Sequence, residues 1–460
     1  MSTINEPLPE KDLKTQEVDD ATATARDEKQ EASADTDNAS TKTTAAELRT
    51  EWIQFITLCL CLFLAGWNDG TTGPLLPRIQ EYYHLGYTAL STLFLLQCVG
   101  FIVGAFAALW LNEKIGFGKS LVFGALCQTV AYAIQAPAPP FPVLVVFAAL
   151  NGFGMAIQDA QSNGFVAVMK HNPDRKMGVL HAVYGLGALV SPLIATQFAQ
   201  LPRHWALHYV ISSALALSTA VANGLVFRLK RQEDLLPPEN PKSEVTSLSA
   251  ELDGRNKYKQ IFSLRVVHYL AFFILLYVGI ELTIGGWIVT FILRERNGGP
   301  SSGYVSSGFY GGLMLGRVIL LPVNEYVGEQ RVIFIYGLIA AALDIVIWQV
   351  PHLVGDAVAA SFTGLALGPM YPLIMNFASA SIPRHLLTGS IGWIAGFGQV
   401  GSAAFPFVTG AMASRWDIRV LPPMIVAMIG VMLLLWVLAV LERRAQTKRD
   451  AEVASAATAP

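Results

Sequence analysis

Charge is what this chain has least of. Asp, Glu, Lys and Arg make up 14% of 460 residues, against 53% hydrophobic residues and a mean hydropathy of +0.45. Soluble domains carry about 25% charge, so the shortage excludes an ordinary soluble protein and indicates one built for a bilayer. Cysteine is scarce too. Cys59, Cys61, Cys98 and Cys127 all lie in apolar runs of the first half and read as small buried hydrophobes, not as a disulfide framework or a metal site. No phosphate-binding loop, nucleophile motif or metal-ligand spacing appears. The chain therefore reads as neither an enzyme nor an ATP-driven pump, with no cofactor, no metal and no nucleic-acid partner. Residues 1–50 lack the apolar core of a signal peptide. With 6 basic and 12 acidic residues they are expected to form a disordered cytosolic tail.

What the chain has instead is apolar runs. A membrane helix needs about 20 apolar residues, and twelve stretches qualify: 52–77, 86–111, 118–136, 141–169, 177–200, 206–229, 264–293, 302–327, 331–350, 352–380, 386–413 and 421–441. They are numbered below as spans one to twelve. Residues 230–263 form a charged, Pro-containing linker that divides them into an N-terminal half (51–229) and a C-terminal half (264–442), with a short tail at 443–460. Nineteen Lys and Arg fall on the side that holds the linker, among them Lys114, Lys119, Arg231, Arg331, Arg443 and Arg444, and only six fall on the other. The positive-inside rule places that side, and both termini, in the cytosol. The fold class is an all-α, multi-pass membrane protein, expected as a monomer in a lipid bilayer. The plasma membrane is the first expectation, and a vacuolar or other endomembrane is the alternative.

The chain also repeats itself. Gly100, Gly104 and Asn112-Glu113-Lys114-Ile115-Gly116 are matched by Gly312, Gly316 and Asn324-Glu325-Tyr326-Val327-Gly328, every pair 212 residues apart. Asp69-x-Thr71-x-Gly73 in span one is matched at the same offset by Glu281-x-Thr283-x-Gly285 in span seven. An acid matched to an acid inside a membrane span is informative. Two six-helix pseudo-repeats with a site between them near the midplane are the architecture of a secondary transporter.

An ionisable side chain at mid-span costs about 2.5–3.5 kcal/mol on insertion scales. Asp69, Asp159, Glu281, Arg317 and Asp344 all lie within predicted spans. Groups this costly face a cavity or a partner. For Asp69 and Asp159 the functional reading is a carboxyl that loads and releases a coupling proton, since desolvation favours the neutral form. The structural reading is a hydrogen bond to a neighbouring helix. Asn151, Gln158 and Ser162 form one stripe of span four, and Asp159 and Asn163 form the adjacent one. Glu281 and Arg317 read either as a buried ion pair joining spans seven and eight, or as a substrate anchor or a gate pair that breaks as the halves rock. Asp344, in span nine, reads as structural. Candidate substrate contacts are Asn68, Asn151, Gln158, Asn163, His181, Tyr277, Glu281, Trp287, Tyr371, Asn376 and Trp393, because aromatic faces and amides together suit a hydroxylated ring. Each of these alone can also be explained by helix packing.

These residues resemble the major facilitator superfamily. The N-E-x-[IV]-G turns stand where that family has its G-x-x-x-D-R-x-G-R loop, with Phe117-Gly118-Lys119 in place of the basic pair. The resemblance makes Asn112, Glu113, Gly116, Asn324, Glu325 and Gly328 a conformational latch. Within the family, three segments resemble the fungal-type fucose–galactose–proton symporter branch: Gly66-Trp67-Asn68-Asp69-Gly70, the stretch from His181 to Leu189, and Gly279-Ile280-Glu281 leading into Gly285-Gly286-Trp287. It implies that Asp69 and Asp159 couple protons and that the substrate is a small sugar-like solute, moved by alternating access. An efflux carrier is the alternative, on the strength of Gly187-x-x-x-Ser191-Pro192. A transporter-like nutrient sensor is a third reading.

Overall fold

In the computed structural model, residues 11–235 and 254–457 are described; linker positions 236–253, Lys242 included, lie outside them, as do 1–10 and 458–460. All regular elements among the described residues are helices. Contacts divide the chain into a short unit, Met1–Ile56, and a large one, Thr57–Pro460. In the short unit the rings of Trp52 and Phe55 meet edge-on at 5.6 Å. The helix that becomes span one begins at Lys11, within the stretch whose composition predicts disorder.

The membrane spans fall where the hydropathy puts them. They are Glu47–Tyr83, Tyr87–Ile115, Phe117–Gln135, Phe141–Ala167, Arg175–Ala199, Trp205–Phe227, Arg265–Glu295, Glu329–Gln349, Leu353–Ser381, Gly389–Trp416 and Ile418–Arg449, with span eight made of a bent pair, Pro300–Ile319 and Leu321–Val327. The 54° bend of span eight was not anticipated. Pro322 explains it. It lies in the first turn of the second piece, where a proline is tolerated, and could not continue the helix before it. Span ten breaks at Pro369, between Leu353–Leu367 and Met370–Ser381.

The sequence repeat is also a repeat of contacts. Span two packs on four as eight packs on ten, and three packs on four and six as nine packs on ten and twelve. The glycines carry this pairing down to single atoms. A Cβ on Gly100 would stand 1.8 Å from the Ala149 carbonyl oxygen, and one on Gly312 would stand 2.0 Å from that of Ser361. Gly104 meets Phe153 O as Gly316 meets Leu365 O, and Gly152 meets Gln97 O as Gly364 meets Phe309 O. Each contact recurs 212 residues on. Backbone approach this close is what small residues permit between helices in a bilayer, where apolar burial between helices supplies little drive.

The N-E-x-[IV]-G turns share a geometry as well. Gly116 (φ +88°) and Gly328 (φ +90°) each end one span and start the next, with backbone N–H groups donating to Asn112 O (3.1 Å) and Asn324 O (3.0 Å). An L side chain is strained at such a φ. The halves meet through spans two with eleven and five with eight. Most of their polar contacts lie at the end that holds the connections after spans one and seven. Thr88 N–H donates to Ser414 Oγ (2.9 Å), Gln197 donates to Tyr304 Oη, and Gln200 donates to Pro300 O (3.4 Å). Toward the basic end, Gly178, Gly392 and Gly396 each face open space.

Candidate functional site

The segment Gly66-Trp67-Asn68-Asp69-Gly70 organises the centre of the bundle. Gly66 and Gly70 have no Cβ, so span one lies directly on span five. A Cβ on Gly66 would stand 1.9 Å from Tyr184 O, and one on Gly70 would stand 2.5 Å from Ala188 O. Gly187 does the same from the other side, against Phe63 O at 2.1 Å. Trp67 donates to Ser212 Oγ (2.8 Å) and stacks on His208. That leaves Asn68 and Asp69 facing inward.

Asp69 is half-buried and accepts two hydrogen bonds, from Tyr184 Oη (2.7 Å) and Asn68 Nδ2 (3.2 Å). Asn68 Oδ1 in turn accepts from Asn151 Nδ2 (2.6 Å) of span four and Tyr132 Oη (3.2 Å) of span three. Four helices are therefore tied to one carboxyl. Asn68 and Asn151 also border a cavity of about 40 Å3, room for a few waters and too small for a sugar ring. Glu281 and Asp159 are the other acids within electrostatic reach of Asp69.

Glu281, the repeat partner of Asp69, is buried. Its Oε1 is 4.0 Å from Arg317 Nη2, the outer limit of an ion pair. Arg317 also donates to the backbone carbonyl of His181 across the interface between halves (3.3 Å). Tyr277, one turn before Glu281, lies against Tyr371 with ring centres 6.1 Å apart. Asp159 accepts from Asn163 Nδ2 (3.0 Å), its neighbour one turn on. Trp393 and Phe397 lie 5.0 Å apart, and Trp393 meets Phe262 edge-on.

Other candidates are placed elsewhere. Gln158 turns to span three, where it accepts from Gln128 Nε2 (2.5 Å). Trp287 is fully buried and donates to Pro406 O (3.0 Å), joining span seven to span eleven. Asn376 is exposed and donates to Glu329 Oε1 (3.1 Å) near the basic end. Among the turn residues, Glu113 and Glu325 are exposed, and Asn324 is buried, accepting from Tyr336 Oη (2.7 Å). Asp344 is buried in span nine, away from the cluster.

Sequence reasoning missed two groups. Tyr184 and Tyr132 complete the hydrogen bonding of Asp69 and Asn68. Gln128, Tyr132 and Gln135 recur at helical spacing in span three, a polar stripe that could have pointed to this. The second group is buried in the N-half, where Thr71 Oγ1 lies 2.6 Å from Ser191 Oγ and 3.0 Å from His208 Nε2. Ser191, read in sequence as part of an efflux-like motif, is thus bonded between spans one and five.

The sequence model of the Major Facilitator Superfamily matches residues 58–353. The chain belongs to this superfamily. It is therefore a multi-pass integral membrane protein of a transporter family, not an enzyme. It is 26% identical to Bypass of stop codon protein 6 of Saccharomyces cerevisiae, over 83% of this chain and 81% of that one. It is 22% identical to the glucose/mannose transporter GlcP of Bacillus subtilis, over 70% and 79%. Its fold matches the crystal structure of the Escherichia coli fucose:proton symporter FucP with a TM-score of 0.59 at 15% identity, over 85% of this chain and 99% of that one.

Proposed function

We propose that this facilitator carries a sugar or a related small polar solute in symport with protons, by alternating access. The observation that carries the proposal is the placement of Asp69. A half-buried carboxyl is held by Tyr184 and Asn68, with Glu281, its repeat partner in the other half, within electrostatic reach. A group so placed can gain or lose a proton as the halves rock, and each state changes what the cluster can bind. Asp159, with Asn163, is the second candidate carrier of the proton. Glu281, Tyr277, Tyr371, His181 and Trp393 are the candidate sugar contacts. The names of GlcP and FucP support a sugar as substrate. The predominance of contacts between halves at one end, with open space at the other, supports a carrier open toward its basic end, which the positive-inside rule assigns to the cytosol. The N-E-x-[IV]-G turns at that end would then latch the opposite state.

The test is transport by the purified protein in liposomes, using a panel of radiolabelled sugars with and without an imposed pH gradient. Accumulation that requires the gradient is expected. Asp69→Asn should abolish accumulation but leave exchange of internal for external sugar. If hydrophobic compounds are expelled while no sugar moves, the efflux reading replaces this one.

A further inference from the structure

The two copies of the repeated turn are finished differently. After span six the chain leaves the helix at Arg228 (φ +48°) and folds back over the first turn. Gly118 N–H donates to Lys230 O (2.9 Å), and Arg231 covers Gly116, with its Cγ 3.0 Å from where a Cβ would stand. Among the described residues nothing folds back after span twelve, because the helix runs on to Ala457. Arg443, 212 residues beyond Arg231, therefore stays on a helix, and a Cβ on Gly328 would meet nothing within 4 Å. The space that Arg231 closes in the first half is left in the second as a cavity of about 490 Å3.

Its lining has two characters. Phe334, Phe377 and Val440 give it an apolar wall, while Arg331, Arg443 and Arg444 bring three guanidinium groups against one carboxylate, Glu329. That carboxylate already accepts a hydrogen bond from Asn376. Arg443 lies over the Phe377 ring at 4.8 Å. No ion pair engages the three arginines among the described residues. Leu434 and Leu441 of span twelve and Ile335 and Leu338 of span nine are exposed nearby on the same two helices, as side chains facing lipid would be. The cavity thus lies at the bilayer margin of the basic end, where anionic headgroups are found.

We infer that this cavity binds the phosphate of an anionic phospholipid, with Arg331, Arg443 and Arg444 on the headgroup and Phe334, Phe377 and Val440 against its glycerol and acyl stems. Arg–phosphate contacts are charge-assisted and favour two-point geometry. The apolar wall selects a lipid over a free anion. The lipid would occupy the place that Arg231 holds in the other half, bracing the Gly328 turn between spans eight and nine.

Native mass spectrometry of the detergent-purified full chain tests this, with phosphatidylserine and phosphatidylcholine titrated in parallel. Phosphatidylserine should be retained preferentially. At about fivefold per basic contact, Arg331→Gln/Arg443→Gln should lower that retention about 25-fold. Val440→Trp, which fills the cavity and leaves every charge in place, should lower it as well. Arg415→Gln, at the opposite end of the bundle, serves as the folding and charge control and should leave it unchanged. Retention that survives Val440→Trp would mean diffuse surface attraction and would overturn the site. Displacement of the lipid by millimolar inorganic phosphate would mean a soluble anion is the ligand, and would overturn the lipid assignment.

Discussion

Adding one methyl group at Gly187 should disable the carrier through geometry alone. In Gly187→Ala the new Cβ would begin 2.1 Å from the Phe63 carbonyl oxygen, and ordinary contact begins at 3.4 Å. Neither partner can yield cheaply, because the obstacle is helix backbone. Spans one and five must separate by about 1.3 Å, and forced overpacking of this kind costs about 1–3 kcal/mol. The same separation draws Tyr184 away from Asp69. Their hydrogen bond is 2.7 Å long, and an added ångström takes it beyond the range in which such bonds hold. Stability and coupling should therefore fall together. The measurements are the thermal unfolding midpoint of purified protein in detergent and proton-driven uptake in liposomes. Tyr184→Phe is the companion. It removes the same hydrogen bond without moving a helix, so it should impair coupling with little change in midpoint. If Gly187→Ala keeps both the wild-type midpoint and wild-type uptake, the close crossing of spans one and five is not what positions Asp69.

Other outcomes follow from the same contacts. Arg296 Nε donates to Asp356 Oδ2 at 2.6 Å, with both side chains largely buried. Asp356→Ala should lower stability by about 3–5 kcal/mol, and the apolar pair Arg296→Met/Asp356→Leu should recover most of it, read by thermal unfolding. Glu281 and Arg317 are only at the limit of pairing, so a double-mutant cycle with Glu281→Gln and Arg317→Gln should give a coupling below about 1 kcal/mol in stability. A coupling of several kcal/mol would show that they hold the fold together. Ala at Gly116 or Gly328 incurs about 1–3 kcal/mol of backbone strain. Gly116→Ala should be the worse of the two by thermal unfolding, because Arg231 also lies over it.

The spans were legible because hydrophobic length is a local property, and bilayer thickness sets one scale for all of them. The repeat was legible because duplicated packing keeps its glycines wherever two backbones touch. Side-chain direction was much less so. Asn151 and Gln158 share one stripe of span four, yet Asn151 meets span one and Gln158 meets span three. Tilted helices cross, so one stripe faces different neighbours at different depths. Trp287 looked like a ring for a sugar and is a buried strut to span eleven. Asn376, two turns from the break in span ten, lies past the centre and bonds the start of span nine.

By itself the sequence determined a twelve-span, twice-built membrane bundle with Asp69 and Glu281 as counterparts, since composition, length and offset can be read without coordinates. Tertiary structure alone decided that Tyr184, Asn68, Asn151 and Tyr132 converge on Asp69, because those residues come from four spans and meet only once the glycines let the helices touch. It also decided where the symmetry stops. The repeated turns match in sequence and in φ, but one is covered by the chain that follows span six, while the other lies open beneath a helix that does not turn back.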